Sequence, residues 1–172
     1  FKDMSTSDYL FCLDRRTGEK RWTYNGGAIP DPTIAIADGR TYFVESANPA
    51  ASQDADGRMK LDTLLGNGAW LVALDAKSGQ TLWKKPVDLR SFQHVIFLSV
   101  AQDTIVLTGS KNKNDTVWYE FFAFDAGTGE ARWHREQDNH NKPGGDHGEQ
   151  TRHPLLVGGV IYAEPCAYDL RT

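Results

Sequence analysis

The sequence predicts an all-β chain in which four-stranded antiparallel sheets follow one another along an arc. Two observations carry this. The first is a pattern that occurs three times: LFCLDRRTGEKRW at 10–22, LVALDAKSGQTLW at 71–83 and FFAFDAGTGEARW at 121–133. A fourth copy, CAYDLRT at 166–172, stops one residue before its expected glycine. Each copy is an alternating apolar run, an aspartate, two variable residues, Thr or Ser, Gly, Glu or Gln, and a Trp three residues on. The aspartates Asp14, Asp75, Asp125 and Asp169 stand 44 to 61 residues apart, the length of one blade of a β-propeller. The second observation is a further hairpin signal before each of the last three copies: Asp38-Gly39, Gln102-Asp103 and Gly158-Gly159, each between apolar runs. Together they predict a β-propeller arc with two complete blades and two partial ones.

The elements follow in order. A partial blade at 7–24 supplies two strands around Asp14. The second blade, 33–87, is expected to contain strands at 33–37, 40–46 and 71–75 and a fourth that carries Trp83. The third, 94–135, has strands at 94–100 and 104–109 and the third copy of the pattern. A partial fourth blade, 154–172, has strands at 154–157 and 160–164, then the last copy. There Glu164-Pro165-Cys166 joins two strands with almost no turn, and the missing proline donor predicts a bulge or strand break. No stretch shows sustained helical periodicity. Beginning and ending in mid-blade reads as a fragment of a longer propeller, because propellers close with roughly 4–8 blades.

The repeated residues have structural work to do. An aspartate at a strand end accepts hydrogen bonds from amides two or three residues on, closing an Asx-type turn, and Thr17, Ser78 and Thr128 support the same turn. Gly18, Gly79 and Gly129 are expected to supply positive φ. Trp22, Trp83 and Trp133 are expected to pack between neighbouring sheets, largely buried, each with its indole N–H on a carbonyl. The four aspartates are therefore turn formers rather than ligands or catalysts.

A formal net charge of −4 over 172 residues argues against nucleic acid or anionic membrane as partners. No apolar run reaches the roughly 18 residues of a membrane span. Cys12 and Cys166 fall on equivalent strands of the first and last blades, too far apart for a disulfide, and are expected to be buried free thiols.

The short turns fall on one face of the arc and the added length on the other: an insertion at 47–68, a short polar connection at 111–116 and a long polar crossing at 134–153. Loops of this length are usually functional or disordered. The crossing holds four of the five histidines, His134, His140, His147 and His153, together with Glu149 and Arg152. Imidazole with carboxylate suits a transition metal, with His140, His147, Glu149 and His153 as the donors. The spacing matches no metal motif, so the expectation is a polar rim in which His147, Glu149, Arg152 and His153 face a ligand or partner, with no metal. His134 follows Trp133 and is placed on the outer strand, apart from the others. Within the insertion, Asp54–Arg58 (DADGR) has only part of a calcium loop and reads as a solvated surface loop. Trp70 and Trp118 either flank a groove on this face or pack at sheet edges.

The four-fold pattern resembles the PQQ-type β-propeller repeat of quinoprotein dehydrogenases and of the propeller lipoprotein of outer-membrane barrel assembly. The segments NGGAIPDPTIAIADGRTYFV and GGDHGEQTRHPLLVGGVIYAEPCAYDLRT are also similar to large planctomycete-type PQQ-repeat proteins. The dehydrogenase resemblance implies PQQ, a calcium ion and an aspartate base. No residue here matches the family's vicinal cysteines, its Trp floor or its calcium ligands. The assembly-lipoprotein resemblance implies a non-catalytic module that binds a protein, polymer or small polar ligand, and a periplasmic or exported location. The binding or scaffold reading is preferred, because a fold alone is a weak warrant for chemistry. The remaining blades of the parent chain, or another copy, are the further partners expected.

Overall fold

The structure is a computed structural model that describes residues 3–53, 56–140, 153–163 and 165–171. It consists of four antiparallel sheets in chain order. The first contains β1 (Asp3–Leu13) and β2 (Lys20–Pro30). The second is a full meander of β3 (Ala35–Ala37), β4 (Arg40–Ser46), β6 (Ala69–Asp75) and β7 (Thr81–Val87). Between β4 and β6 the chain forms a short strand, β5 (Arg58–Lys60), and one turn of helix, α1 (Leu61–Leu65). The third sheet orders β8 (Ile96–Ala101), β9 (Thr104–Lys113), β10 (Thr116–Asp125) and β11 (Ala131–Asp138). The fourth has β12 (Leu155–Val157), β13 (Val160–Ala163) and β14 (Cys166–Asp169).

The repeated pattern folds in the same way each time. Its alternating run is β1, β6 or β10, and its tryptophan lies on the outer strand opposite a small residue, in the pairs Cys12–Trp22, Ala73–Trp83 and Ala123–Trp133. Asp14 Oδ1 accepts from the amides of Arg16 at 2.8 Å and Thr17 at 3.1 Å. Asp75 does so from Lys77 and Ser78, Asp125 from Gly127 and Thr128, and Asp169 from Arg171. Gly18, Gly79 and Gly129 have φ of 74°, 73° and 74°, the left-handed region that glycine enters without steric cost. The upstream hairpins turn through paired positive φ, as at Gln102 and Asp103, which matches the twist of the flanking strands.

The sheets stack face to face, with apolar side chains filling three interfaces. Ile29, Phe43, Val72 and Leu74 pack with Leu10 and Trp22 between the first two sheets. Leu71, Tyr42 and Phe124 lie between the second and third, and Phe121, Val106 and Ile161 between the third and fourth. Each indole N–H reaches across its interface to the carbonyl that follows the next sheet's aspartate. Trp22 reaches Ala76 at 3.0 Å, Trp83 reaches Ala126 at 3.3 Å and Trp133 reaches Leu170 at 3.0 Å. The three tryptophans are half-buried rather than largely buried, because one edge of each ring stays at the rim of the stack.

Several expectations need correction. The 33–37 strand begins later, because Asp31–Thr33 forms a 3-10 turn around Pro32. There the Thr33 hydroxyl takes a ladder position, donating to the Pro30 carbonyl and accepting from the Val44 amide. The connection at 111–116 is no loop: β9 and β10 pair continuously from Asp125–Thr104 to Thr116–Lys113, closed by Asn114-Asp115 with both φ positive. Pro165 breaks no strand. Ala163 pairs with Cys166 and the four pairs of β13 and β14 run without a register shift, so the proline stands in the turn, where no donor is needed. Both cysteines are free, but Cys12 is half-buried and Cys166 exposed rather than buried.

Candidate functional site

The largest correction concerns the insertion at 47–68, which is built into the molecule. Ala51, Leu61, Leu64 and Leu65 are buried in the main core. The Ser46 hydroxyl donates to the Leu64 carbonyl at 2.5 Å, Asn48 Nδ2 to the Thr63 carbonyl at 2.9 Å, and the Ala47 amide to the Gly68 carbonyl at 3.0 Å. From there β5 reaches the first sheet and pairs antiparallel with the start of β1, Met59 opposite Met4. The DADGR segment thus enters a strand at its last residue, Arg58; Asp54 and Ala55 lie outside the described residues. Alternating Met59, Leu61 and Leu64-Leu65 required burial, which a scan for loop composition overlooks.

This anchored insertion walls two clefts on either side of Trp70. One, of about 520 Å³, is lined by Glu45, Asn48 and Ser52; the other, of about 600 Å³, by Asn67, Asp88 and Arg90. Lys84 Nζ lies 5.3 Å from the centre of the Trp70 ring, within reach of a cation–π attraction. The same ammonium meets Glu45 Oε1 at 2.7 Å, and the Tyr24 hydroxyl donates to Glu45 Oε2 at 2.5 Å. Burial pushes the Glu45 carboxyl up, but Lys84, Tyr24 and the Gly27 amide outweigh it and leave it below the ordinary carboxylate range. Burial and the same carboxylate push the Tyr24 phenol up. Gly26 permits the approach, since a Cβ there would stand 2.5 Å from Glu45 Oε2. The Trp70 platform is therefore held by a paired acid and base before any ligand arrives.

A second polar cluster lies on the third sheet. The Glu120 side chain is only 4% exposed, and its Oε1 meets Lys111 Nζ at 3.0 Å and His134 Nε2 at 3.3 Å. Glu136 takes Lys111 and Lys113, each at 2.8 Å, and Lys113 covers the Trp118 ring at 4.3 Å. Lys111, then Lys113, hold the Glu136 carboxyl down to about 2. Glu120, His134 and Glu136 have the donor types of a metal site, with donor atoms within 4.8 Å of one another. Two ammonium groups already supply the positive charge, so the arrangement fits an ion-pair network and not a divalent cation.

The expected polar rim is reached only in part. His147, Glu149 and Arg152 lie outside the described residues. His140 stands beside Asp138, Nδ1 to Oδ2 at 3.3 Å. His153 packs its ring on Phe97 with centroids 4.9 Å apart, and its Nδ1 lies 2.8 Å from the Pro154 carbonyl. Among the described residues, neither joins a three-donor cluster. The strongest polar groups, Glu45 and Glu120, were missed from sequence. Their signal was an acid inside a strand, Glu120 standing where the second blade has Trp70, five residues before the aspartate.

A family model described as "Outer membrane protein assembly factor BamB" matches residues 12–167. The chain belongs to this family of PQQ-type repeat propellers. A curated relative, outer membrane protein assembly factor BamB of Burkholderia pseudomallei, is 24% identical over 158 residues, which is 91% of this chain and 36% of the relative. The chain thus spans about a third of that relative's length. Two solved structures are similar in fold. The quinohemoprotein alcohol dehydrogenase of Comamonas testosteroni has 19% identity and a TM-score of 0.47 over 74% of this chain and 18% of its own. A europium-containing methanol dehydrogenase has 17% identity and a TM-score of 0.47 over 77% and 22%. Among the described residues both cysteines are free, and the clustered carboxylates Glu120 and Glu136 are paired with Lys111 and Lys113.

Proposed function

We propose that the chain is a non-catalytic propeller module that binds a protein partner on the face carrying the insertion 47–68, the end of the β9–β10 hairpin at 111–116 and the crossing 134–153. The observation that carries this is the Trp70 platform: an aromatic ring between two clefts, held by the Lys84–Glu45–Tyr24 chain and walled by an insertion anchored in the core. A half-exposed aromatic in a rigid polar surround is the composition of a protein-binding hot spot. The relative named for outer-membrane protein assembly supports a protein as the occupant and an exported location. Site-specific photocrosslinking in the intact protein tests it. A photoreactive residue at Asn67 is expected to give a discrete protein adduct that Trp70→Ala removes. One at Lys77, on the short-turn face, is expected to give none. Equal adducts from both positions, or an Asn67 adduct indifferent to Trp70, refute the reading.

A further inference from the structure

The two clefts beside Trp70 are part of a longer feature. The cleft of about 520 Å³ runs from Gly26 and Gly27 of β2 to Trp70. The cleft of about 600 Å³ continues from Trp70 past Pro86 and Val87 to Asp88 and Arg90. These last two residues also wall a third cleft, of about 520 Å³, which ends on Phe122 of β10. Shared walls therefore chain the three clefts into one groove that crosses from the first sheet to the third. Its two ridges differ. Trp70 is fixed, because Lys84 lies over the ring and is itself held by Glu45. The ridge at Asp88 and Arg90 is held only by itself. The Arg90 and Asp88 side chains are 63% and 64% exposed. Among the described residues the guanidinium bonds Asp88 alone, through Nε at 2.8 Å and Nη2 at 2.7 Å, so the remaining donors of its fork stay unengaged. A pair this exposed contributes little to folding, and stability does not explain its place over the groove.

We propose that this groove takes one extended segment of a protein partner, laid across the sheets. An apolar side chain of the segment fills the cleft between Trp70 and Val87, and a carbonyl or carboxylate oxygen accepts from Arg90. The proposal rests on the protein-binding reading of the Trp70 face and adds the form of what binds there. Dimensions favour an extended chain. Sheets pack about 10 Å apart and an extended chain advances about 3.3 Å per residue, so roughly six residues reach from the first sheet to the third. The side chains of such a segment alternate, so it clears a ridge between two filled clefts, whereas a helix about 10–12 Å across meets both ridges. The middle cleft also admits a main chain. Gly66 and Gly68 line it, and nothing lies within 4 Å of a Cβ position on Gly68, so a partner backbone can approach closely there.

Photocrosslinking in the intact protein, with the attachment points mapped by mass spectrometry, tests the form of the partner. Photoreactive residues are placed at Ser52, Asn67 and Ser91, one beside each cleft. All three are expected to capture the same protein, with attachment points in order within one stretch of roughly six to eight residues. Arg90→Ala, at an exposed position, is expected to lower the Ser91 adduct yield about tenfold through the loss of a charged hydrogen bond. Circular dichroism establishes that the variant is folded. A missing adduct at Ser52 or Ser91, or attachment points scattered over distant parts of the partner's sequence, overturns the extended segment. If the Asn67 adduct still depends on Trp70, the protein-binding reading survives that result. No adduct at Asn67 removes both. A Ser91 yield indifferent to Arg90→Ala overturns the role given to Arg90.

Discussion

At Asp14 and Asp125 one carboxylate both closes a turn and takes a charge, from Arg21 and Arg132. For Asp14, the Arg16 amide, then the Arg21 side chain and the Thr17 amide, hold the carboxyl down to about 2 from an ordinary 3.8. Asp75 and Asp125 are lowered as well, by Ser78 and Arg132 first. A carboxyl lowered on folding stabilises the native state fully above its unfolded value, and that contribution disappears as pH falls through the folded value. The melting temperature is therefore expected to be flat from neutral pH to about 5 and to fall between about 4 and 2, where these carboxylates protonate. Asp14→Asn should make that acid decline shallower in a thermal melt series, and an unchanged slope would contradict the assignment. Glycine separates two costs at the same scale. Gly18→Ala should cost about 1–2 kcal/mol, the left-handed penalty alone. Gly79→Ala has the same φ and also strikes Trp22, so chemical denaturation should show the larger loss. Trp83→Ala is expected to cost about 3 kcal/mol, at the low end for aromatic truncations because the ring is only half-buried.

Among the elements, the insertion and the third-sheet ion pairs behave unlike surface decoration. Leu64 is fully buried under the wall of the Trp70 clefts, so Leu64→Ala should cost about 2–4 kcal/mol in chemical denaturation, where a solvated loop would lose almost nothing. Hydrogen exchange should show the Ala47 and Gly68 amides protected, since they donate to the Gly68 and Leu65 carbonyls. Lys111 stands between Glu120 and Glu136. Burial works against its charge, but the two carboxylates outweigh it and raise its pKa. Lys111→Met should cost about 3 kcal/mol at neutral pH, because Glu120 would remain buried without its nearest ammonium group. Much of that loss should be recovered in Lys111→Met with Glu120→Gln, measured as a double-mutant cycle; strict additivity would show the pair to be uncoupled.

For the whole chain, the two end faces differ from the three inner joints. Tyr9, Phe11 and Leu13 are exposed on the first sheet, and Leu155, Val157 and Tyr162 on the last. Unlike halves of one interface join head to tail and not by a two-fold axis. The cysteines are placed at opposite ends of the same stack, so thiol titration under denaturing, non-reducing conditions should count two free thiols per chain.

The sequence by itself determined the repeat: the turn at each Asp-x-x-Thr/Ser-Gly, the position of each tryptophan and the meander order, because these depend on residues within about ten positions of one another. It also sufficed to place Asp14, Asp75, Asp125 and Asp169 where they accept from turn amides. Only the tertiary structure decided the fate of the insertion and the location of the strongest polar groups. Leu61, Leu64 and Leu65 are buried by sheets distant in sequence, and β5 pairs with a strand more than fifty residues earlier. Glu45 and Glu120 acquire their partners across strands, from Lys84, Tyr24 and Lys111, so no local spacing announces them. The histidine-rich crossing drew attention by composition, but composition carries no distances. What His153 touches, Phe97 on the inner strand of the third sheet, follows from the stacking of blades and from nothing in its neighbours along the chain.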